Sequence, residues 1–298
     1  MKNLLLCCTV ALSLASFRPM AGAAPSADAL RQLGGKVVEQ GGRIIELNID
    51  ASKFTEAEYR QIGECTALRK LTLNGKTLTD VTLPLLAGLT ELEEFSTNQS
   101  MLSDAGYRHF APFQKLRGLS LWHPSWADAG FTGSGLAELR TLPALQRLTF
   151  AGSTAGDEAL AAIGQLTQLQ SFQTWHTAQT QAGNQHLLQL TNLTFLKIGQ
   201  RLPKAGKPAP PSFDDSTIAT LARMKSLESL ELFEARLTAK SLTQLQALPK
   251  LRKLKIHTAE ISAAEIETLR TALPGVIIDF QPISEADREA TLAKKLKL

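Results

Sequence analysis

The strongest constraint on this chain is a short apolar pattern that returns at a nearly fixed interval. Its clearest copy is Leu68-Arg69-Lys70-Leu71-Thr72-Leu73-Asn74. The first position recurs at Ile44, Leu68, Leu92, Leu116, Leu145, Leu169, Leu193, Leu227 and Leu251, and Gly275 opens a truncated tenth copy. Most intervals are 24 residues, as from Leu68 to Leu92. A constant period in the range of about 20 to 50 residues marks a stacked repeat array. One such unit cannot bury its own apolar face, so each must lean on the next.

Within a copy the pattern predicts two halves. The second apolar slot holds Leu47, Leu71, Phe95, Leu119, Leu148, Phe172, Leu196, Leu230, Leu254 and Ile278, and a further apolar or threonine slot follows two residues later. That alternation is the period-2 signature of a strand with one buried face. Only Thr97 and Thr174 are polar there, and threonine is a good strand former. Apolar residues then return every third position, as in Leu83, Leu86, Leu89 and Leu160, Ile163, Leu166. This spacing predicts a short α-helix or 3₁₀ turn with an inward apolar stripe. Thr55, Thr79, Ser103, Thr238 and Ser262 stand where N-caps belong, with Glu56, Asp80 and Asp104 placed for the helix dipole.

The L-x-x-L-x-L pattern resembles the leucine-rich repeat family over roughly residues 44–280, and the 24-residue period is similar to the secreted bacterial type. The resemblance implies an α/β fold: a right-handed, curved solenoid with a parallel sheet of about ten strands on the concave face and short helices on the convex side. The chain departs from the family at the ninth slot, where an Asn or Cys usually serves the loop backbone. That slot holds Ser52, Lys76, Ser100, Pro124, Ser153, Thr177, Arg201, Ala235 and Ala259, so serine and threonine hydroxyls or water are expected to substitute.

Residues 1–23 read as a secretory signal peptide: Lys2, an apolar run from Leu4 to Ala15, and an Ala21-Gly22-Ala23 cleavage site. The expected address is secreted or periplasmic. Cleavage removes Cys7 and Cys8 and leaves Cys65, whose register is that of a buried helical hydrophobe. The chain carries 32 basic and 28 acidic residues, a charge of +4; losing Lys2 and Arg18 leaves 30 against 28, or +2. Near balance gives no electrostatic case for nucleic acid. Residues 24–43 are expected to form an N-terminal cap, with helical spacing from Ser26 through Leu30, Leu33, Val37 and Val38. Residues 281–298 are expected to form a helical cap or tail over the last strand, without stable membrane insertion. Two copies are longer than the rest, with extra residues near 127–135 and at the proline-rich 201–211, and insertions in such arrays often border the working side.

A ligand is expected on the strand residues that point away from the core. The slot after each L-x-L holds Trp122, Ala151, Trp175, Gly199, Phe233 and His257 along the middle of the array, and Trp-His occurs twice, as Trp122-His123 and Trp175-His176. With strands ~4.8 Å apart, the two indoles are expected about 10 Å from each other, with a shallow gap over Ala151. Arg147, Gln173 and Lys197 complete the candidate ligand-binding set. Aromatic rings with cationic and amide neighbours suit a protein or peptide, with a glycan stacked on Trp122 and Trp175 as the alternative. Two histidines without a third ligand do not make the usual zinc site. Nucleophile elbows, phosphate loops, H-E-x-x-H and C-x-x-C are absent, so a non-catalytic scaffold without cofactor or metal is the expectation.

Overall fold

The computed structural model describes residues 24–126, 128, 130–203 and 210–298. The segment expected to be a signal peptide, with Cys7 and Cys8, lies outside the described residues, as do parts of both insertions. Eleven described strands form one sheet in strict chain order. They are β1 (Lys36–Gln40), β2 (Arg43–Asp50), β3 (Lys70–Asn74), β4 (Glu94–Asn98), β5 (Gly118–Trp122) and β6 (Arg147–Ala151). After these come β7 (Ser171–Trp175), β8 (Phe195–Ile198), β9 (Ser229–Phe233), β10 (Lys253–His257) and β11 (Ile277–Gln281).

From β2 onward every pairing is parallel, and equal slots of successive copies face one another: Leu47 opposite Leu71, Leu71 opposite Phe95, Leu119 opposite Leu148. The repeat period thus sets the register. A one-residue slip would turn every core leucine to the opposite face. The helical halves use both available geometries, α over Glu56–Gly63 and Asp157–Gly164 and 3₁₀ over Leu83–Leu86 and Asp104–Phe110. Together these define a leucine-rich repeat solenoid.

The core runs continuously between sheet and helices, with Leu71, Phe95, Leu119, Phe172 and Leu230 buried from the strands and Ile62, Leu86, Phe110 and Ile163 from the helical side. Thr97 and Thr174 are buried too, their hydroxyls directed to Ser100 Oγ at 3.4 Å and Gln179 Oε1 at 3.2 Å. Cys65 is buried, and burial, with Glu64 nearby, pushes its thiol up to about 11.

The missing asparagine at the ninth slot is answered locally. Ser153 Oγ donates to Pro124 O at 3.1 Å and accepts from Ala155 N at 3.2 Å. In the seventh copy Gln200, one residue earlier, accepts from Ser212 N at 3.0 Å and donates to Phe213 O.

A second ladder stitches the helix starts together. In the second copy Thr82 stands at the N-cap of the 3₁₀ turn, in place of the expected Thr79. Asp80, two residues before it, accepts from Ser103 N at 2.9 Å and Ser103 Oγ at 2.5 Å in the next copy. Asp104 accepts from Thr132 N and Gly135 N, each at 3.0 Å. Asp157 accepts from Thr180 N at 2.7 Å, and Asp215 from Thr238 N at 2.9 Å and Ser241 Oγ at 2.5 Å. Each carboxylate satisfies a backbone donor at or just before the start of its neighbour's helix, and Asp104, Asp157 and Asp215 also stand in the first turn of their own. Gly106 and Gly183 leave room for this, since a Cβ at either would overlap the Asp80 or Asp157 carboxylate.

Two capping boxes connect the fold to pH. Glu58 accepts from the Thr55 hydroxyl and amide at 2.6 and 2.7 Å, and Glu265 accepts from the Ser262 amide and hydroxyl at 3.0 and 2.8 Å. These bonds hold both carboxyls below the ordinary glutamate value. A depressed folded-state pKa contributes stability above the unfolded value and loses it as pH falls through the folded one. The Glu58→Gln/Glu265→Gln variant is therefore expected to lose less stability than the parent between about pH 6 and pH 3. Urea midpoints across that range test this; parallel curves for the two proteins would refute it.

Both ends differ from expectation. The N-terminal helix covers only Ala27–Gln32, capped by Ser26. It stops where Gly34 takes a positive φ of 86°, and the β-branched pair Val37-Val38 enters β1 instead of continuing the helix. That strand pairs antiparallel with β2 through Gly41-Gly42, whose φ values of 57° and 72° suit a two-residue hairpin turn. It raises the strand count from about ten to eleven. At the other end Ser284 caps a helix over 285–295 that buries Leu292 and Leu296. Its ion pairs run from Arg288 to Glu260 at 3.2 Å and from Lys295 to Glu234 at 3.8 Å. Those glutamates lie in the loops after β10 and β9, while Ile277 on the last strand stays 66% exposed. The tail packs on the loop edge and leaves Ile277 uncovered.

Candidate functional site

Residues in the last slot of each strand face away from the core, and in the middle of the sheet large and small side chains alternate: Trp122, Ala151, Trp175, Gly199, Phe233. Trp122 lies opposite Ala151 and Ala151 opposite Trp175 in the register. The small residues let the aromatics close over them. The rings of Trp122 and Trp175 are 5.3 Å apart and edge-to-face, as are those of Trp175 and Phe233 at 5.4 Å. The 10 Å separation expected from strand spacing holds only for the backbone rungs; the indoles lean together, and Ala151 is buried. A Cβ at Gly199 would come within 2.7 Å of the Phe233 ring. The aromatics therefore form one continuous, half-buried strip.

Lys197 completes the strip. Its ammonium lies 5.0 Å from the centroids of both Trp175 and Phe233 and 3.6 Å from Glu231 Oε2. Cation–π attraction and the carboxylate hold it in place. Gln173 is its opposite number on β7 and is half-buried. Arg147 follows the same alternation in the first slot, reaching across Gly118 to pair with Glu94. His257, opposite Phe233 on β10, extends the row and lies 3.5 Å from Asp279.

His123 and His176 part from the strip. Both occupy the left-handed region, with φ of 48° and 54°, where the chain turns out of the strand. His123 Nδ1–H donates to Asn98 Oδ1 at 2.9 Å, and His176 Nε2–H donates to Glu234 Oε2 at 2.7 Å. The two imidazoles line a cleft of about 530 Å³ at the strand ends, together with Trp126, Phe131, Leu202 and Pro203. Phe131, Leu202 and Pro203 come from the two insertions and Trp126 immediately precedes the first, so this cleft lies at the loop edge. The nine candidate residues thus divide: Trp122, Trp175, Lys197 and Phe233 on the strip, with Arg147, Gln173 and His257 beside it, and His123 and His176 in the cleft.

Trp126, Phe131 and Glu234 were not among the expected residues. Phe131 falls in irregular spacing, where the repeat assigns no direction to a side chain, and Trp126 stands just before it in the slot of Leu78 and Leu102. Glu234 follows Phe233 in the register of the two histidines, a signal that was present in the alignment of copies.

A histidine–glutamate pair beside hydroxyls prompts the question of catalysis. The nearby hydroxyls are committed elsewhere: Thr177 Oγ1 donates to Gln179 Oε1 at 2.6 Å and Ser153 Oγ to Pro124 O. Neither is placed as a nucleophile for the pair. Among the described residues, no three or more His, Cys, Asp or Glu gather as a metal site would need, and no helix is long and apolar enough to cross a membrane.

No protein-family model matches the chain, and no curated protein matches it in sequence. Solved structures do match. An internalin (inlF) from Listeria monocytogenes is 18% identical, with 76% of this chain and 71% of that one covered and a TM-score of 0.45. Internalin C2 (inlC2) from the same organism is 17% identical, with 86% and 92% covered and a TM-score of 0.46.

Proposed function

We propose that this chain is a secreted or periplasmic, non-catalytic scaffold that binds a protein or an extended peptide through its concave face. The observation that carries the reading is the strip of Trp122, Trp175 and Phe233. Their slot faces away from the core, so the core gains nothing from apolar bulk there, and small residues alternate with them to keep the rings together. Half-buried aromatics beside a fixed cation are the composition of binding hot spots. Lys197, Arg147, Gln173 and His257 set the polar surround.

The glycan alternative needs a flat indole face free for stacking. Trp175 is in edge-to-face contact with Trp122 and Phe233 and carries the Lys197 ammonium over its ring, an arrangement that favours an irregular peptide surface over a sugar ring. Peptides selected from a random display library against the whole chain provide the test. The Trp122→Ala/Trp175→Ala variant is expected to weaken them by about 30-fold or more, as loss of a hot spot does. A double variant that binds every peptide as the parent does would sink the reading, and binding on a glycan array lost in the same variant would replace it with the sugar.

A further inference from the structure

We propose that the cleft at the strand ends is an anchor pocket for one uncharged apolar side chain, aromatic or branched aliphatic, carried on an extended peptide. The inference rests on the peptide-binding reading above and adds where the peptide is held and by what chemistry.

At about 530 Å³ the cleft falls within the ordinary size range of ligand pockets, about 300–1,000 Å³. Its apolar lining is not a by-product of the core. Trp126 and Leu202 stay 42% and 38% exposed, Leu202 within the second insertion and Trp126 just before the first, in the slot where the preceding copies bury Leu78 and Leu102. Large apolar groups kept in the open around one depression mark a surface that a partner covers. Phe131 gives the wall rigidity: it is 4% exposed and stacked on Tyr107 at 6.0 Å.

The chemistry of the lining selects the occupant. Among the described residues the lining includes no Asp, Glu, Lys or Arg, and the nearby Lys76 ammonium is engaged on the Trp126 ring at 4.9 Å, so a charged side chain would lose hydration without gaining a counter-ion from the lining. The polar groups are hydroxyls and the two imidazoles. One nitrogen of each ring is committed, His123 Nδ1 to Asn98 and His176 Nε2 to Glu234. In the neutral ring the second nitrogen is then an acceptor, suited to the N–H groups of an extended peptide. Because His123 and His176 directly follow Trp122 and Trp175, a peptide lying on the strip reaches the cleft within one residue.

The test uses the whole chain and fluorescent, acetylated and amidated octapeptides of Ala, Ser and Gln, differing only at one central residue: Trp, Phe, Leu, Ala, Asp or Lys. Anisotropy is expected to show the Trp, Phe and Leu peptides binding at least about tenfold more tightly than the other three. Leu202→Glu and Trp126→Ala, both at exposed positions and checked for an unchanged thermal midpoint, are expected to abolish that preference. Trp122→Ala is expected to weaken all peptides alike and leave the ranking intact. An absence of binding, a flat ranking, or a ranking that survives both cleft variants overturns the inference. A ranking lost only in Trp122→Ala overturns the cleft while leaving the concave face standing; peptides that bind Trp122→Ala as tightly as the parent, with the ranking still lost in the cleft variants, do the reverse.

Discussion

Gly135→Ala is expected to lower the unfolding free energy by about 3 kcal/mol, at the upper end of what overpacking by one methyl costs. A Cβ at this position would overlap the carbonyl oxygen of Asp104, and the Asp104 carbonyl carbon and Cα lie close behind it. A flexible side chain could swing away; peptide backbone cannot. The displaced residue is moreover a rung of the aspartate ladder, since Asp104 accepts from Gly135 N and Thr132 N. One methyl therefore disturbs both the third and the fourth copies. Gly130→Ala is the control, because its Cβ would meet only the Asp128 carboxylate, at 3.3 Å. A change within about 0.5 kcal/mol is expected there. Urea unfolding followed by far-ultraviolet circular dichroism measures both. Equal midpoints for the two variants would show that the helix starts are loosely packed and that the ladder holds little.

That case also shows what the sequence made legible. The strand slots could be read to the residue, because burial on one face imposes a period that no other structure shares. Leu71, Phe95, Leu119 and Phe172 all sit in the core where their spacing puts them. Helix caps at Thr55, Thr238 and Ser262 followed from local hydrogen-bonding chemistry in the same way. The aspartate ladder did not, although every member was visible. It depends on a carboxylate in one copy meeting an amide about 23 residues later, and only the stacking distance decides whether the two touch.

The candidate site was legible in its members and illegible in its geometry. Trp122, Trp175 and Phe233 share a slot, which the repeat revealed; that they lean across Ala151 and Gly199 into contact is a matter of side-chain rotation, which period alone does not constrain. Val37 and Val38 illustrate the converse error. Their spacing suited a helix, but the β-branched pair and the hairpin turn at Gly41-Gly42 favoured a strand, and an unpaired β2 edge was available to receive it.

Glu234→Ala is expected to cost about 2 kcal/mol, below the ~3–5 kcal/mol for breaking a fully buried pair because both partners keep some solvent contact. The side chains of His176 and Glu234 are 18% and 10% exposed, and the bond between them spans the seventh copy to join the sixth and eighth. Glu234→Gln retains an acceptor for the imidazole N–H, so its loss is expected near 1 kcal/mol. Backbone and side chain can be separated as well. Glu234 has a φ of 57°, where glycine is at ease and alanine is not, so Glu234→Gly is expected to be about 1 kcal/mol less harmful than the alanine variant. Urea midpoints of the three variants measure this order. Hydrogen exchange across 285–295 then locates the damage. The tail helix also touches Glu234 through Lys295, but it is held by buried Leu292 and Leu296 and by Arg288 on Glu260. Its protection is expected to persist in Glu234→Ala while that of the His176 turn falls. A tail that exchanges freely in this variant would mean that the ion pair, and not the two leucines, fastens the end of the chain.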